Sequence, residues 1–416
     1  MSRAATAPLC REIARAIPSR PFAVEFWDGQ AMPSTTGDGP VFSVRSPRAV
    51  AHALRAPGQL GLGRAYVSGD LALDDLDAVM TLLDGWQPPP IDARARARLT
   101  LAAARACGLR RPPRPPDAEL APRGARHSRA RDARAVRHHY DLSNEFFALM
   151  LDASMTYSCA LFSRGAETLE QAQAAKLELI CSKLGLVPSG AQAPLGAQAA
   201  GQRVLDVGCG WGSFPVHAAA KHGVSVLGIT LSEPQAQLAR RRAAEAGVED
   251  RVEIRVLDYR ELTGERFDAI ASIGMVEHVG DERIDEYARK LASLLAPGGR
   301  LLNHGIARLR HSDPPAGPFS ERYVFPDAEP LHISRVLLAL ERAGFVPEHL
   351  EGLAGDYSQT LGHWIDNLDE HLDEAIRLAG AERVRVWRLY LRSARKGFDT
   401  GFTSIYQANC VLAPER

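Results

Sequence analysis

No stretch of this 416-residue chain approaches the ~18–20 uninterrupted apolar residues of a membrane-spanning helix. The six cysteines, at 10, 107, 159, 181, 209 and 410, form no CxxC pair. That argues against a zinc site or a disulfide framework, so no metal is expected and a reducing cytoplasm is the default. Net charge is missing as well: 50 basic residues balance 50 acidic ones, which removes any bulk pull toward nucleic acid. The opening MSRAATAPLCREIARAIPSRP has no apolar h-region, so a secretory signal is not expected. What remains is 45% apolar and 24% charged, ordinary for a folded soluble protein and long enough for two or three domains.

Residues 1–90 read as a small α+β domain. FAVEFWDGQAM and PVFSVRS have strand-like alternation, and PRAVAHALRA and LDDLDAVMTLLDG read as helices, the second started by Asp74 or Asp75 and stopped by Gly85. Residues 91–137 differ in kind. From Arg94 to Arg137 there are thirteen arginines, no lysine and three acids, a local charge of +10 that leaves −10 for the rest. RRPPRPP at 110–116 excludes regular helix or central strand, so the segment reads as an extended linker. It is either a solvated arginine-rich linker or an adhesive strip for anionic lipid headgroups, where each basic residue contributes about 1 kcal/mol. No aromatic platform accompanies it, which disfavours nucleic acid.

From 138 onward strand-like runs alternate with helical ones. RVLDVG (203–208), VSVLGI (224–229), RVEIRVL (251–257), FDAIASI (267–273) and RLLNHGI (300–306) are separated by SFPVHAAAKH, EPQAQLARRRAAEAG and ERIDEYARKLASLLAPGG. That rhythm predicts a doubly wound parallel sheet of Rossmann-like α/β class. Residues 189–202 read as a low-complexity surface insertion. Beyond the fifth strand come three amphipathic helices and a last strand, FTSIYQANCVLA.

The densest chemical signal is VLDVGCGWGSF. A strand delivers Asp206, then Gly208, Gly210 and Gly212 alternate into a helix, sites where a side chain would block a ligand from touching backbone. A dinucleotide fold would show GxGxxG instead. GxGxG behind an acid is the pattern of S-adenosylmethionine (SAM) methyltransferases. The second strand does not end in the usual ribose-binding acid but continues GITLSEPQ, offering Thr230, Ser232 and Gln235. The third ends VLDYREL, placing Asp258 and Tyr259 where that superfamily binds the adenine edge.

HHYDLSNEFF (138–147), MTYSCALF (155–162), DVGCGWG, GITLSEPQ, SIGMVEHVG (272–280), PGGRLLNHGI (297–306) and RVWRLYLRSARKGF occur here in one order. With them the chain resembles the cyclopropane-fatty-acyl-phospholipid synthase family over roughly 138–410, and the catalytic domain is expected to span 138–416. The resemblance implies methyl transfer from SAM to the cis double bond of an unsaturated phospholipid acyl chain. A carbocation follows, and a bound bicarbonate removes the proton that closes a cyclopropane ring. Carried over by motif, Cys159, Glu277, His304, the backbone of Ile306 and Tyr357 would hold the bicarbonate, while Tyr157 and Ser158 would touch SAM. Each has a plainer reading: Glu277 as a helix-capping acid, His304 as a satisfied core histidine, Cys159 as a small hydrophobe.

Relatives often carry a cysteine where this chain has Ala394, which disfavours a covalent-thiol route. Phe146, Phe147, Met150, Met155, Tyr157 and Phe162 would lie over the SAM pocket, where aromatic faces stabilise a cation. A cytoplasmic protein peripheral to the membrane is expected, and a homodimer is a family-based expectation. Three alternatives stay open: the same transfer ending in a methyl-branched or methylene fatty acid, a small-molecule methyltransferase on this scaffold, and a non-catalytic lipid-binding protein.

Overall fold

The computed structural model describes residues 5–108, 113–120, 124, 126–128, 131–132, 134, 142–190, 201–312 and 317–414. His138 to Asp141 of the HHYDLSNEFF motif, most of the 189–202 insertion, and Arg110, Arg111, Arg123, Arg129 and Arg137 of the arginine strip lie outside the described residues. The chain divides into two compact units. The first joins Met1–Ala121 with Gly317–Val324 and Gly380–Ser393, and the second holds the rest.

The first unit has a four-stranded sheet of β1 (Ala23–Phe26), β2 (Ala31–Met32), β3 (Val41–Val44) and β4 (Leu71–Leu73), in the order β2-β1-β3-β4 with β1 and β3 parallel. The expected helices form over Pro47–Arg55 and Leu76–Gly85. Asp75 starts the second, its carboxylate accepting from the backbone of Asp77 and Ala78 at 2.9 Å.

The linker expectation fails from residue 93 to 107. ARARARLTLAAARAC is a fifteen-residue helix with Asp92 capping Ala95 N–H at 2.7 Å. Alanine and arginine are strong helix formers, and Ala102, Ala103 and Ala106 give the helix an apolar face that packs with Leu9, Val24, Phe26 and Met32. The first unit also recruits late parts of the chain. Glu382 accepts from Ala118 N–H (3.2 Å), Arg385 donates to the Val67 carbonyl (2.9 Å) and Arg392 to Asp77 (3.0 Å). A catalytic domain running unbroken from 138 is therefore not the division observed.

The second unit is built on seven strands: β5 (Arg203–Val207), β6 (Ser225–Thr230), β7 (Val252–Val256), β8 (Phe267–Ile273), β9 (Leu295–Arg308), β10 (Phe345–Gly352) and β11 (Thr403–Leu412). Their order is β10-β11-β9-β8-β5-β6-β7, with β11 alone reversed. The expected Rossmann-like α/β architecture is what forms. Val204, Leu205 and Val207 are buried, as a strand covered on both faces requires, and each such side chain contributes about 2 kcal/mol. Sequential order reverses at β5, whose neighbours are β6 and β8, so the crevice beyond the carboxyl end of β5 is the topological switch point where ligands bind in such sheets.

Candidate active site

The glycine-rich turn leaves β5 at that switch point. Gly208 and Cys209 N–H both donate to the Ile229 carbonyl of β6, at 3.0 and 2.9 Å, folding the loop back over the sheet. Gly208, Gly210 and Gly212 have φ of 86°, 53° and 83°, a left-handed region that other residues enter at a cost. A Cβ at Gly210 would meet nothing within 4 Å, whereas one at Gly212 would stand 2.8 Å from Ala239 Cβ. Gly210 therefore keeps the crevice open to a ligand, and Gly212 lets the helix Ser213–His222 pack against its neighbour.

A cavity opens above this turn. Tyr157, Ser158, Asp206, Gly208, Gly210, Thr230, Gln235, Asp258 and Tyr259 all line it. Of the expected cofactor residues, Gly212 and Ser232 do not. Ser232 caps the helix Glu233–Glu245, accepting from Gln235 N–H at 3.4 Å, and Thr230 donates to Gln235 Oε1 at 2.7 Å. Asp258 is engaged by Arg260, whose guanidinium reaches both carboxylate oxygens and also Asp132 at 2.9 Å.

Sequence reasoning passed over Lys176. It is fully buried on the helix Leu169–Lys183, lines the cavity and donates to Ser158 Oγ at 2.9 Å. Burial lowers its pKa to about 8 against the pull of Asp152, Cys159 and Asp206, and raises that of Asp206 to about 7. The available signal was a lysine one turn before Ile180 on an otherwise buried helix face. Oδ1 of Asp206 is buried without a partner, so the cavity holds an unmet acceptor beside an open glycine cradle. That donor and acceptor set fits a nucleoside-bearing cationic ligand such as SAM.

The residues expected to hold an anion gather along β9. β8 is followed by Gly274, whose N–H donates to the His304 carbonyl at 2.8 Å, and the chain turns through Val276–His278. Glu277 Oε1 accepts from Ile306 N–H at 3.2 Å, while Oε2 is buried with no partner. Burial raises the Glu277 carboxyl to about 7. His304 is completely buried with neither ring nitrogen bonded, and burial followed by Lys176 and Lys183 lowers its pKa to about 3, so its ring is neutral.

Cys159 and Tyr357 reach the same strand through Leu353. The Cys159 thiol donates to the Leu353 carbonyl at 3.7 Å, and so does Tyr357 N–H at 3.0 Å. Leu353 N–H in turn bonds to Ile405, the register partner of Ile306. Burial holds the Cys159 thiol far above the ordinary range, so it is not a thiolate. The direct contact within the set is Glu277 with Ile306. The unmet atoms of Glu277 and His304 fit a small oxyanion that both accepts and donates hydrogen bonds.

The two regions are linked by an aromatic wall. Trp211, in the cavity, packs on Phe147 at 4.8 Å, Phe147 on Tyr157 at 5.8 Å, and Tyr157 stacks on Trp364 at 5.0 Å. Trp364 meets Tyr357 edge-on at 6.0 Å, and Tyr357 lies 4.7 Å from Phe398. Phe146, edge-on to Phe147, and Met150 are completely buried, and Phe162 stacks on His363.

The mycolic acid cyclopropane synthetase family profile covers residues 127–408. A probable fatty acid methyltransferase of Mycobacterium tuberculosis is 38% identical over 407 residues, spanning 93% of this chain and 90% of the relative. The cyclopropane-fatty-acyl-phospholipid synthase of Escherichia coli K12 is 32% identical over 351 residues, spanning 84% and 82%. A mycolic acid cyclopropane synthase solved with SAH and CTAB superposes with a TM-score of 0.61 at 32% identity, over 67% of this chain and 98% of that one. The chain thus belongs to the cyclopropane synthetase family of SAM-dependent methyltransferases.

Proposed function

We propose that this enzyme methylates the cis double bond of an unsaturated phospholipid acyl chain and closes the product to a cyclopropane. The observation that carries this reading is the unbroken aromatic wall from Trp211 in the cofactor cavity to Tyr357 and Phe398. A hydrocarbon tail needs an apolar channel, and a carbocation needs electron-rich faces with water kept away. Bound SAM supplies an electrophilic methyl carbon. The alkene π pair would bond to that carbon as the carbon–sulfur bond breaks, and the cation left on the neighbouring alkene carbon would be stabilised by the ring of Tyr157, which lines the cavity and is backed by Trp364. Loss of a proton from the new methyl group then closes the ring. Bicarbonate, when bound, supplies the base. Glu277 Oε2, His304 and the Ile306 N–H would orient it, with Glu277 accepting its proton-bearing oxygen, and Cys159 and Tyr357 would enclose it.

Incubation with SAM and cis-unsaturated phospholipid vesicles tests the reading. Acyl chains heavier by one CH2 and resistant to hydrogenation are expected; unmodified chains would overturn it. The name of the M. tuberculosis relative favours a second reading, in which the cation resolves to a methyl-branched chain. The same acyl analysis separates the two products.

The substrate sits in a bilayer, and no helix among the described residues is long and apolar enough to cross one. We infer peripheral docking through Arg94, Arg96 and Arg105, exposed on the helix Ala93–Cys107, with Arg98 partly engaged by Glu12 at 3.0 Å. Part of the strip is occupied elsewhere, since Arg126 and Arg131 both pair with Asp327. Vesicle co-sedimentation is expected to fall at least tenfold between about 0.05 and 0.5 M salt, where the screening length shrinks from above 10 Å to a few ångströms. Binding that ignores salt and anionic lipid would dismiss the docking surface.

A further inference from the structure

On the helices leading to the cofactor cavity lies a second cluster that the transfer chemistry does not use. We propose that Cys181, His217 and His222 bind a zinc ion, with Glu178 orienting the two imidazoles. The Cys181 sulfur and one ring nitrogen of each histidine lie within 4.8 Å of one another, the one such grouping of three among the described residues. Tetrahedral zinc with sulfur at ~2.3 Å and nitrogen at ~2.0 Å places its ligand atoms about 3.3–3.7 Å apart. Closing the cluster therefore asks for about 1 Å of movement, within reach of imidazole rotation.

Three observations make this more than a chance grouping. Glu178 Oε2 lies 3.1 Å from His217 Nε2 and 3.2 Å from His222 Nε2, so one carboxylate holds both rings. A carboxylate on the outer nitrogen is the usual support for a metal-bound histidine, because it fixes the tautomer and makes the ring a better donor. His222 is buried and its Nδ1 has no partner, a lone pair left unmet in the interior. Cys181 is also buried, packed among Leu177, Phe214, Ala218 and Val224, which shield one side of the site while half-exposed Glu178 leaves an entry on the other. Zinc binds the thiolate, so each ion bound would release the thiol proton to solvent.

The absence of CxxC spacing hid this set. Glu178 and Cys181 share a face of the helix Leu169–Lys183, and His217 and His222 come from the helix Ser213–His222. The first helix carries Lys176 and the second grows out of the glycine turn. An ion here would pin together the two elements that shape the cofactor cavity.

The test uses the full chain, stripped with a chelator and dialysed against zinc chloride, with metal content and thermal midpoint measured. One equivalent of zinc and a raised midpoint are expected. Cys181→Ser and the mostly buried His217→Ala should each weaken binding at least tenfold, and Glu178→Ala about 10- to 100-fold. Cobalt in place of zinc should show a thiolate charge-transfer band that Cys181→Ser removes. The control Cys10→Ser, at a thiol outside the cluster, should leave all of these unchanged. Less than a tenth of an equivalent bound by the wild-type chain, or binding unaltered in a Cys181→Ser variant that still folds and binds SAM, would overturn the site.

Discussion

Glu277→Gln is expected to lower turnover on vesicles by about 10²–10³-fold, equivalent to about 3–4 kcal/mol of barrier, with SAM affinity within twofold of wild type. Glutamine keeps the contact with Ile306 N–H, so the fold around β9 survives, but its amide cannot accept a proton-bearing oxygen with a full negative charge. Calorimetric SAM titration beside acyl analysis separates the two effects, and full activity would remove Glu277 from the chemistry. The substitution has a second signature. A carboxyl with a raised folded-state pKa holds its proton more tightly in the folded chain than in the unfolded one. Its favourable contribution is complete below the unfolded value of ~4.3 and is lost as pH rises through about 7. The urea stability of wild type relative to the variant should therefore decline from pH 5 to pH 7 in bicarbonate-free buffer. Asp206, raised to about 7, and His278 and His304, lowered to about 4 and about 3, titrate alike in both proteins and cancel in that comparison.

Gly305→Ala should cost nearly as much without touching a charged group. A Cβ at Gly305 would stand 2.1 Å from Val276 Cγ1 and 3.2 Å from Glu277 Oε2. Neither the strand nor the adjoining turn Val276–His278 has room to absorb that, so the turn must move and carry the carboxylate with it. Displacement of a reacting group by about 1 Å costs on the order of 10²-fold in rate. A turnover loss of that size with SAM affinity retained is the expected result. Unchanged turnover would mean that the position of Glu277 is not what the reaction depends on.

The cofactor half of the site was readable because it is local. One strand, one turn and three glycines lie within a few consecutive residues, and the side chains at 157, 158, 206, 230, 235, 258 and 259 line one cavity. Lys176 escaped because its significance lies in burial against Ser158, 18 residues earlier in a stretch without regular periodicity. β10 escaped for the opposite reason. FVPEHLEG is an edge strand, mostly exposed and with an irregular register beside Pro347, so it shows no alternation. The helix at 93–107 was mistaken for linker because alternating arginines look like a charge run until the alanines between them are seen to pack. The second half of the site depends on Leu353 and Ile405, which spacing along the chain cannot bring beside Ile306.

The first unit draws on residues 317–324 and 380–393, which leave the ribosome long after its own sheet has been made. Arg385 and Arg392, whose bonds to Val67 and Asp77 tie down that early-made unit, come 318 and 315 residues after those partners. Its completion is therefore a late event in biosynthesis, governed by loop closure over more than three hundred residues rather than by local propensity.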